Sequence, residues 1–240
     1  PLTIGYAPTS GIIYPASDRP EDIEAARKKY FSMPEDDSNW TWNVAWWSDP
    51  VLLGKYPEEG LKKYEKYLPK ITEKDMRLIS EPIDVYGQNI YNGRAFRMGA
   101  DGNPEEVGRV PGAGKTAVNW PVTPECLYWG PKFLYERYKK PIYITENGMA
   151  CHDVVSLDQR VHDPNRIDFL ARYLHELKRA AEEIDLRGYF QWSLMDNFEW
   201  EKGYAERFGI VYVDFETQER ILKDSAYWYR DVIQTNGRDL

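Results

Sequence analysis

One carboxylate stands out by its position. In "YITENGMA", residues 143–150, three residues that suit a buried strand run straight into Glu146, and an Asn-Gly turn follows at once. A strand tip fixes a side chain in place, and burial there makes a negative charge costly. Loop capping or a salt bridge is one reason to put a carboxylate there; chemistry is the other. Similar positions elsewhere hold the partners that glycosidic chemistry would need. Asn89 and Tyr91 end the strand-like stretch "PIDVYGQNIYNG" (82–93), and Trp192 ends "RGYFQWSL" (187–194), ahead of the loop "MDNFEWEKGYAERFG" (195–209). A nucleophilic carboxylate, a hydroxyl to orient it and flat rings for sugar faces form a consistent set.

The elements that must position these residues follow from patterning. "PLTIGY" (1–6) is expected as a short strand and "TSGIIYPASD" as a long loop after it. "RPEDIEAARKKYF" (19–31) suits a helix, with Pro20 in the first turn and acids leading bases. Residues 34–50 carry four Trp within eight positions and fit either a buried helix or an aromatic loop; residues 65–80 fit a loop and helix. Residues 94–118 read as a polar, Gly-rich excursion. "PECLYWGPKFLYERY" (124–138) is a helix with Leu127, Phe133 and Leu134 inward, and "PIYIT" (141–145) is the strand that delivers Glu146. The clearest helix spans residues 163–183, capped by Asp163 and started by Pro164, with Ile167, Leu170, Leu174 and Leu177 on one face. "LKDSAYWYRDVIQ" (222–234) closes the chain as a helix. Strand followed by helix occurs four times, which predicts a parallel α/β architecture and half of an eight-stranded barrel. Catalytic groups in such barrels sit at the C-terminal strand ends.

Composition narrows the function classes. With 42% apolar and 29% charged residues the 240-residue chain is expected to fold as one unit, residues 1–240, without linkers or repeats. A net charge of −8 argues against nucleic acid as a partner. No apolar run approaches the roughly 18 residues of a membrane span. Cys126 and Cys151 make no disulfide framework and no metal-ligand spacing. Nine Trp and eighteen Tyr suit either core packing or sugar platforms.

Several motifs point elsewhere and fail. "GRVPGAGKT" (108–116) resembles a phosphate loop, but Arg109 stands where Gly is needed five residues before Gly114, and no hydrophobic strand precedes it. The sequon Asn39-Trp40-Thr41 is read as chance. His152, His162 and His175 share no ligand spacing and are expected to be structural or exposed.

"ITENG", "WSLMDNFEW", "GYAERFGIVYVD" and "IDVYGQNIYNG" together resemble the C-terminal half of a glycoside hydrolase family 1 β-glucosidase, along nearly the whole chain and least over residues 31–43. The resemblance implies an α/β fold, the C-terminal half of a (β/α)8 TIM barrel, strands five to eight with their helices. It implies retaining hydrolysis of unphosphorylated β-glucosides without metal or cofactor. Glu146 would be the nucleophile and Tyr91 its hydrogen-bonding orienter, with Asn89 pointing inward beside it. Glu199 and Trp200 would grip the hydroxyls at carbons 4 and 6 of the glycone. Trp192 would floor that site, Phe208 would wall it, and Trp120 would stack on the leaving group. Asn119 stands where the family more often has Gly.

The family's acid/base, the Glu of an Asn-Glu-Pro block on strand four, has no counterpart here. Ser80-Glu81-Pro82 precedes its strand, which puts Glu81 at the opposite end, ~25 Å from Tyr91. The expected partner is therefore the N-terminal half of the same barrel, and the chain, which opens without Met, is expected to be a fragment with a cytoplasmic origin. Two alternatives stay open: a fragment that binds sugar without chemistry, and a structural half-barrel that pairs its open edges.

Overall fold

The computed structural model describes residues 2–35 and 40–240. Asn39 of the sequon lies outside the described residues.

In chain order the strands are β1 (Gly5–Tyr6), β2 (Ile12–Pro15), β3 (Val85–Asn89), β4 (Gly93–Met98), β5 (Pro104–Val107), β6 (Ile142–Asn147), β7 (Leu186–Gln191), β8 (Val211–Val213) and β9 (Arg220–Leu222). The α-helices are α1 (Pro20–Phe31), α2 (Val44–Leu52), α3 (Glu58–Tyr64), α4 (Glu73–Ile79), α5 (Cys126–Tyr138), α6 (Pro164–Ala181) and α7 (Asp224–Thr235).

β1, β3, β6 and β7 form one parallel sheet in that order. Sequential strands lie side by side with a helix between them, so this is half of a (β/α)8 barrel. The outward sheet face meets the helices. Tyr86, Ile142 and Ile144 have no exposed surface, and neither do Leu127, Phe133 and Leu134 of α5. Leu170, Leu174 and Leu177 complete that layer from α6, with Phe169 stacked on Tyr173 at 3.9 Å; Ile167 is only half-buried. β1 and β7 each have one neighbour in this sheet, and apolar side chains at these edges are open: Ile4 is 53% and Phe190 58% exposed.

Four readings are refined or corrected by the structure. The stretch after β1 is not simply a loop, and residues 94–118 are not simply an excursion: β2, β4 and β5 join in a second sheet, packed on α1. Cross-strand charge pairs replace apolar alternation in β4 and β5, with Arg97 directly opposite Glu105 and bonded to it at 3.0 Å. Residues 40–52 are both helix and aromatic turn, since Trp46 on α2 is buried while Trp42 is 56% exposed. Asp163 occupies the N-cap of α6, but its side chain caps no backbone amide of that helix; its carboxylate accepts from the Arg166 guanidinium and from Ser225.

The other motifs have plain structural roles. "GRVPGAGKT" lies in a loop, where Arg109 donates to the Gly114 carbonyl at 2.7 Å. His152, His162 and His175 are all exposed, and His162 bonds Asp224 and Asp158. Among the described residues, no helix is long and apolar enough to cross a membrane, and no cluster of His, Cys, Asp or Glu could hold a metal ion.

Candidate active site

The C-terminal ends of the four parallel strands open onto a cleft of about 850 Å³. Its walls include Asn89, Tyr91, Trp120, Glu146, Trp192, Glu199 and Trp200. Seven of the eight residues singled out in the sequence therefore meet in one place. The eighth, Phe208, is buried behind the wall, its ring 6.2 Å from that of Tyr91 and 6.0 Å from that of Trp120.

Glu146 reaches the cleft through a local irregularity. Strict alternation would put it on the same face as Ile142 and Ile144, toward the helices. The pairing of β3 with β6 steps from Gln88–Ile144 to Asn89–Glu146, so Thr145 has no partner. Such an extra residue re-aims the side chain that follows it. The Thr145 hydroxyl donates to Asn89 Oδ1 at 2.7 Å, which ties the irregular point to the neighbouring strand.

The Asn-Gly that follows is needed for packing. Asn147 is fully buried, donates to the Ile90 carbonyl at 2.8 Å and accepts from the Tyr189 hydroxyl at 2.8 Å. At Gly148 a β-carbon would lie 1.8 Å from the Trp192 carbonyl oxygen. No larger residue lets the ends of β6 and β7 approach this closely.

Tyr91 sits just beyond β3, and its Oη donates to Glu146 Oε2 at 2.7 Å. The Tyr173 hydroxyl on α6 donates to the Tyr91 carbonyl at 3.1 Å and fixes its backbone. Burial, and then the charge of Glu146, push the Tyr91 phenol far above its ordinary range, so it stays protonated and remains a donor at any working pH. Trp120 packs edge-on against Tyr91 at 5.1 Å. The residue before it, Asn119, has φ 63°, in the left-handed region that Asn tolerates and Gly prefers.

Glu199 and Trp200 come from the long loop after β7. Glu199 is partly buried, and that burial raises its carboxyl above the usual range; the Trp192 indole within hydrogen-bonding reach opposes the shift, while the charges of Glu201, Glu146 and Glu206 add to it. Among the described residues, the lining holds three carboxylates, Glu146, Glu199 and Glu201, and no basic side chain. Trp42, Asn197 and Glu201 line the cleft too and were not singled out. Trp42 belongs to an aromatic run that is ambiguous in sequence, and the other two have no local signal. Glu81 is exposed before the start of β3, at the other end of that strand.

Comparison with known proteins identifies the family. Residues 2–238 match the Glycosyl hydrolase family 1 model. The chain belongs to that family. It is 44% identical to β-glucosidase A of Thermotoga maritima over 238 residues, covering 98% of this chain and 51% of the relative. Against β-glucosidase A of Acetivibrio thermocellus the identity is 41%, over 98% of this chain and 52% of the relative. The solved structure of the Thermotoga maritima β-glucosidase in complex with glucoimidazole superposes with a TM-score of 0.80, at 44% identity over 98% of this chain and 51% of that one. The chain spans about half the length of the curated relatives it matches.

Proposed function

We propose that this chain is the nucleophile-bearing half of a retaining β-glucosidase. The observation that carries the reading is the 2.7 Å hydrogen bond from Tyr91 to Glu146 at the strand ends, in a cleft lined by Trp120, Trp192 and Glu199. Two solved structures of one relative support the substrate class, since the Thermotoga maritima enzyme has been solved with glucoimidazole and with deoxynojirimycin.

In the proposed reaction a Glu146 oxygen attacks the anomeric carbon as the bond to the leaving oxygen breaks. That oxygen takes a proton from a general acid, and water then displaces Glu146 in a second step to restore the carboxylate. Tyr91 holds the attacking carboxylate in one orientation with its other oxygen free. Trp192 and Glu199 hold the glycone, Trp200 closes over it, Trp120 stacks on the aglycone, and Asn89 lies opposite Glu146 within reach of the sugar. Phe208 acts from behind by fixing the Tyr91 and Trp120 rings.

Retention requires a second carboxyl about 5–5.5 Å from the first. We assign it to the N-terminal half of the barrel, which would also cover the open edges of β1 and β7 and the apolar side chains there. Residues 1–240 alone are expected to associate and to leave an activated aryl β-glucoside intact. Adding the N-terminal half, on the same chain or separately, should produce a monodisperse, active particle. A monodisperse active monomer from residues 1–240 would contradict the half-enzyme reading. A completed particle that binds glucoside without turnover would favour a sugar-binding role instead.

A further inference from the structure

Behind the cleft lies a group of buried charges that the reaction above does not use. The Arg166 side chain, in the first turn of α6, has no exposed surface. Its Nε donates to the Met149 carbonyl at 3.3 Å, and its Nη2 to Asp153 at 2.7 Å and to the Arg207 carbonyl at 2.8 Å. Lys223, equally buried, donates to Asp153 at 2.6 Å and to Asp196 at 2.8 Å. Asp196 also accepts from Arg207 Nη1 at 2.6 Å and from the Gly209 amide at 3.0 Å. With Asp163, which pairs with Arg166, three cations meet three carboxylates.

Burying so many charges is a poor way to gain stability, because desolvation offsets most of the attraction between them. What the network supplies is geometry. Met149 lies three residues beyond Glu146, and Arg207 immediately precedes Phe208. One guanidinium thus grips both the segment leaving the strand that carries Glu146 and the segment arriving at Phe208. Asp196 anchors the loop three residues before Glu199. At Gly209 a β-carbon would fall 2.2 Å from the Asp196 amide nitrogen, so the two segments are already in closest contact.

We propose that Arg166, Lys223 and Asp196 are positioning residues that set the spacing between the loop bearing Glu199 and the carboxylate of Glu146. The proposal rests on the reading of Glu146 and Glu199 given above. None of the three touches the cleft; each acts through the backbone or through another charged side chain.

The test uses the barrel completed by its N-terminal half. Arg166→Lys keeps the charge but loses the planar fork that reaches two carbonyls and Asp153 together. On an aryl β-glucoside kcat/KM should fall about tenfold, and on the aryl β-xyloside, which lacks the carbon-6 arm, distinctly less. Combined with Glu199→Gln, the loss should be well below the product of the two single losses, because both changes disturb the same contact. If Arg166→Lys does not fold, Asp196→Asn carries the same comparison. Equal losses on both glycosides, together with multiplicative effects in the double variant, would overturn the proposal. So would unfolding of both variants, which would make the cluster a stability element only. Glu146→Ala distinguishes the layers: full activity there removes the underlying reading, whereas an inactive Glu146→Ala with multiplicative Arg166 effects removes only this inference.

Discussion

Tyr91→Phe isolates a single interaction. The substitution removes the hydroxyl that donates to Glu146 Oε2 at 2.7 Å and leaves the ring, which keeps its packing on Trp120 and Phe208. The Tyr91 carbonyl that Tyr173 holds is also unchanged. A hydrogen bond to a charged group contributes about 1.5–3 kcal/mol. At 1.36 kcal/mol per tenfold, that corresponds to a drop in kcat/KM of about 10- to 150-fold. Activated aryl β-glucoside kinetics in the completed barrel measure it, with thermal melting as the control for folding. The loss should fall mainly on kcat, because the bond orients an attacking group and does not contact the sugar. A folded variant within twofold of the parent kcat/KM would refute the claim that this contact orients the nucleophile.

Two further outcomes follow from the charges. A 6-phosphoglucoside would bring a dianion into a cleft lined by Glu146, Glu199 and Glu201, with no basic side chain among the described residues of its lining, so its kcat/KM should lie about 10³-fold below that of the unphosphorylated glucoside; comparable values for the two substrates would contradict this. Asp153 titrates in the acid range: burial alone would raise its carboxyl, but Arg166 and then Lys223 override that and hold it below the ordinary value. A depressed folded-state value stabilises the fold above about pH 3.9 and loses that contribution as the pH falls through the folded value. Melting temperature should therefore decline with falling pH in that window, and Asp153→Asn should flatten the slope; an unchanged slope would rule out Asp153 as its source.

Much of the parallel half-barrel was legible, because strand and helix alternate with clear apolar faces on α5 and α6. The place of Glu146 at a strand end was legible as well. How it turns into the cleft was not, since alternation alone puts it with Ile142 and Ile144, and only the unpaired Thr145 shifts it inward. The second sheet was missed because β4 and β5 are held by pairs such as Arg97 and Glu105, whose charges read as a solvated loop. Charge hid the positioning cluster for the same reason. Arg166, Lys223 and Asp196 are residue types that normally face water, and only tertiary packing shows that all three are buried.

The most direct measurement is the fate of Glu146→Ala in the completed barrel, assayed on an aryl β-glucoside whose leaving group needs no acid. Turnover should fall by on the order of 10⁴-fold or more, the scale expected when a nucleophile is removed. Added azide should then restore part of it by attacking the open face of the sugar, and the product should be the α-glucosyl azide, inverted relative to the substrate. A folded Glu146→Ala protein that keeps full turnover, or that gives β-configured azide, would contradict the assignment of Glu146 as the nucleophile.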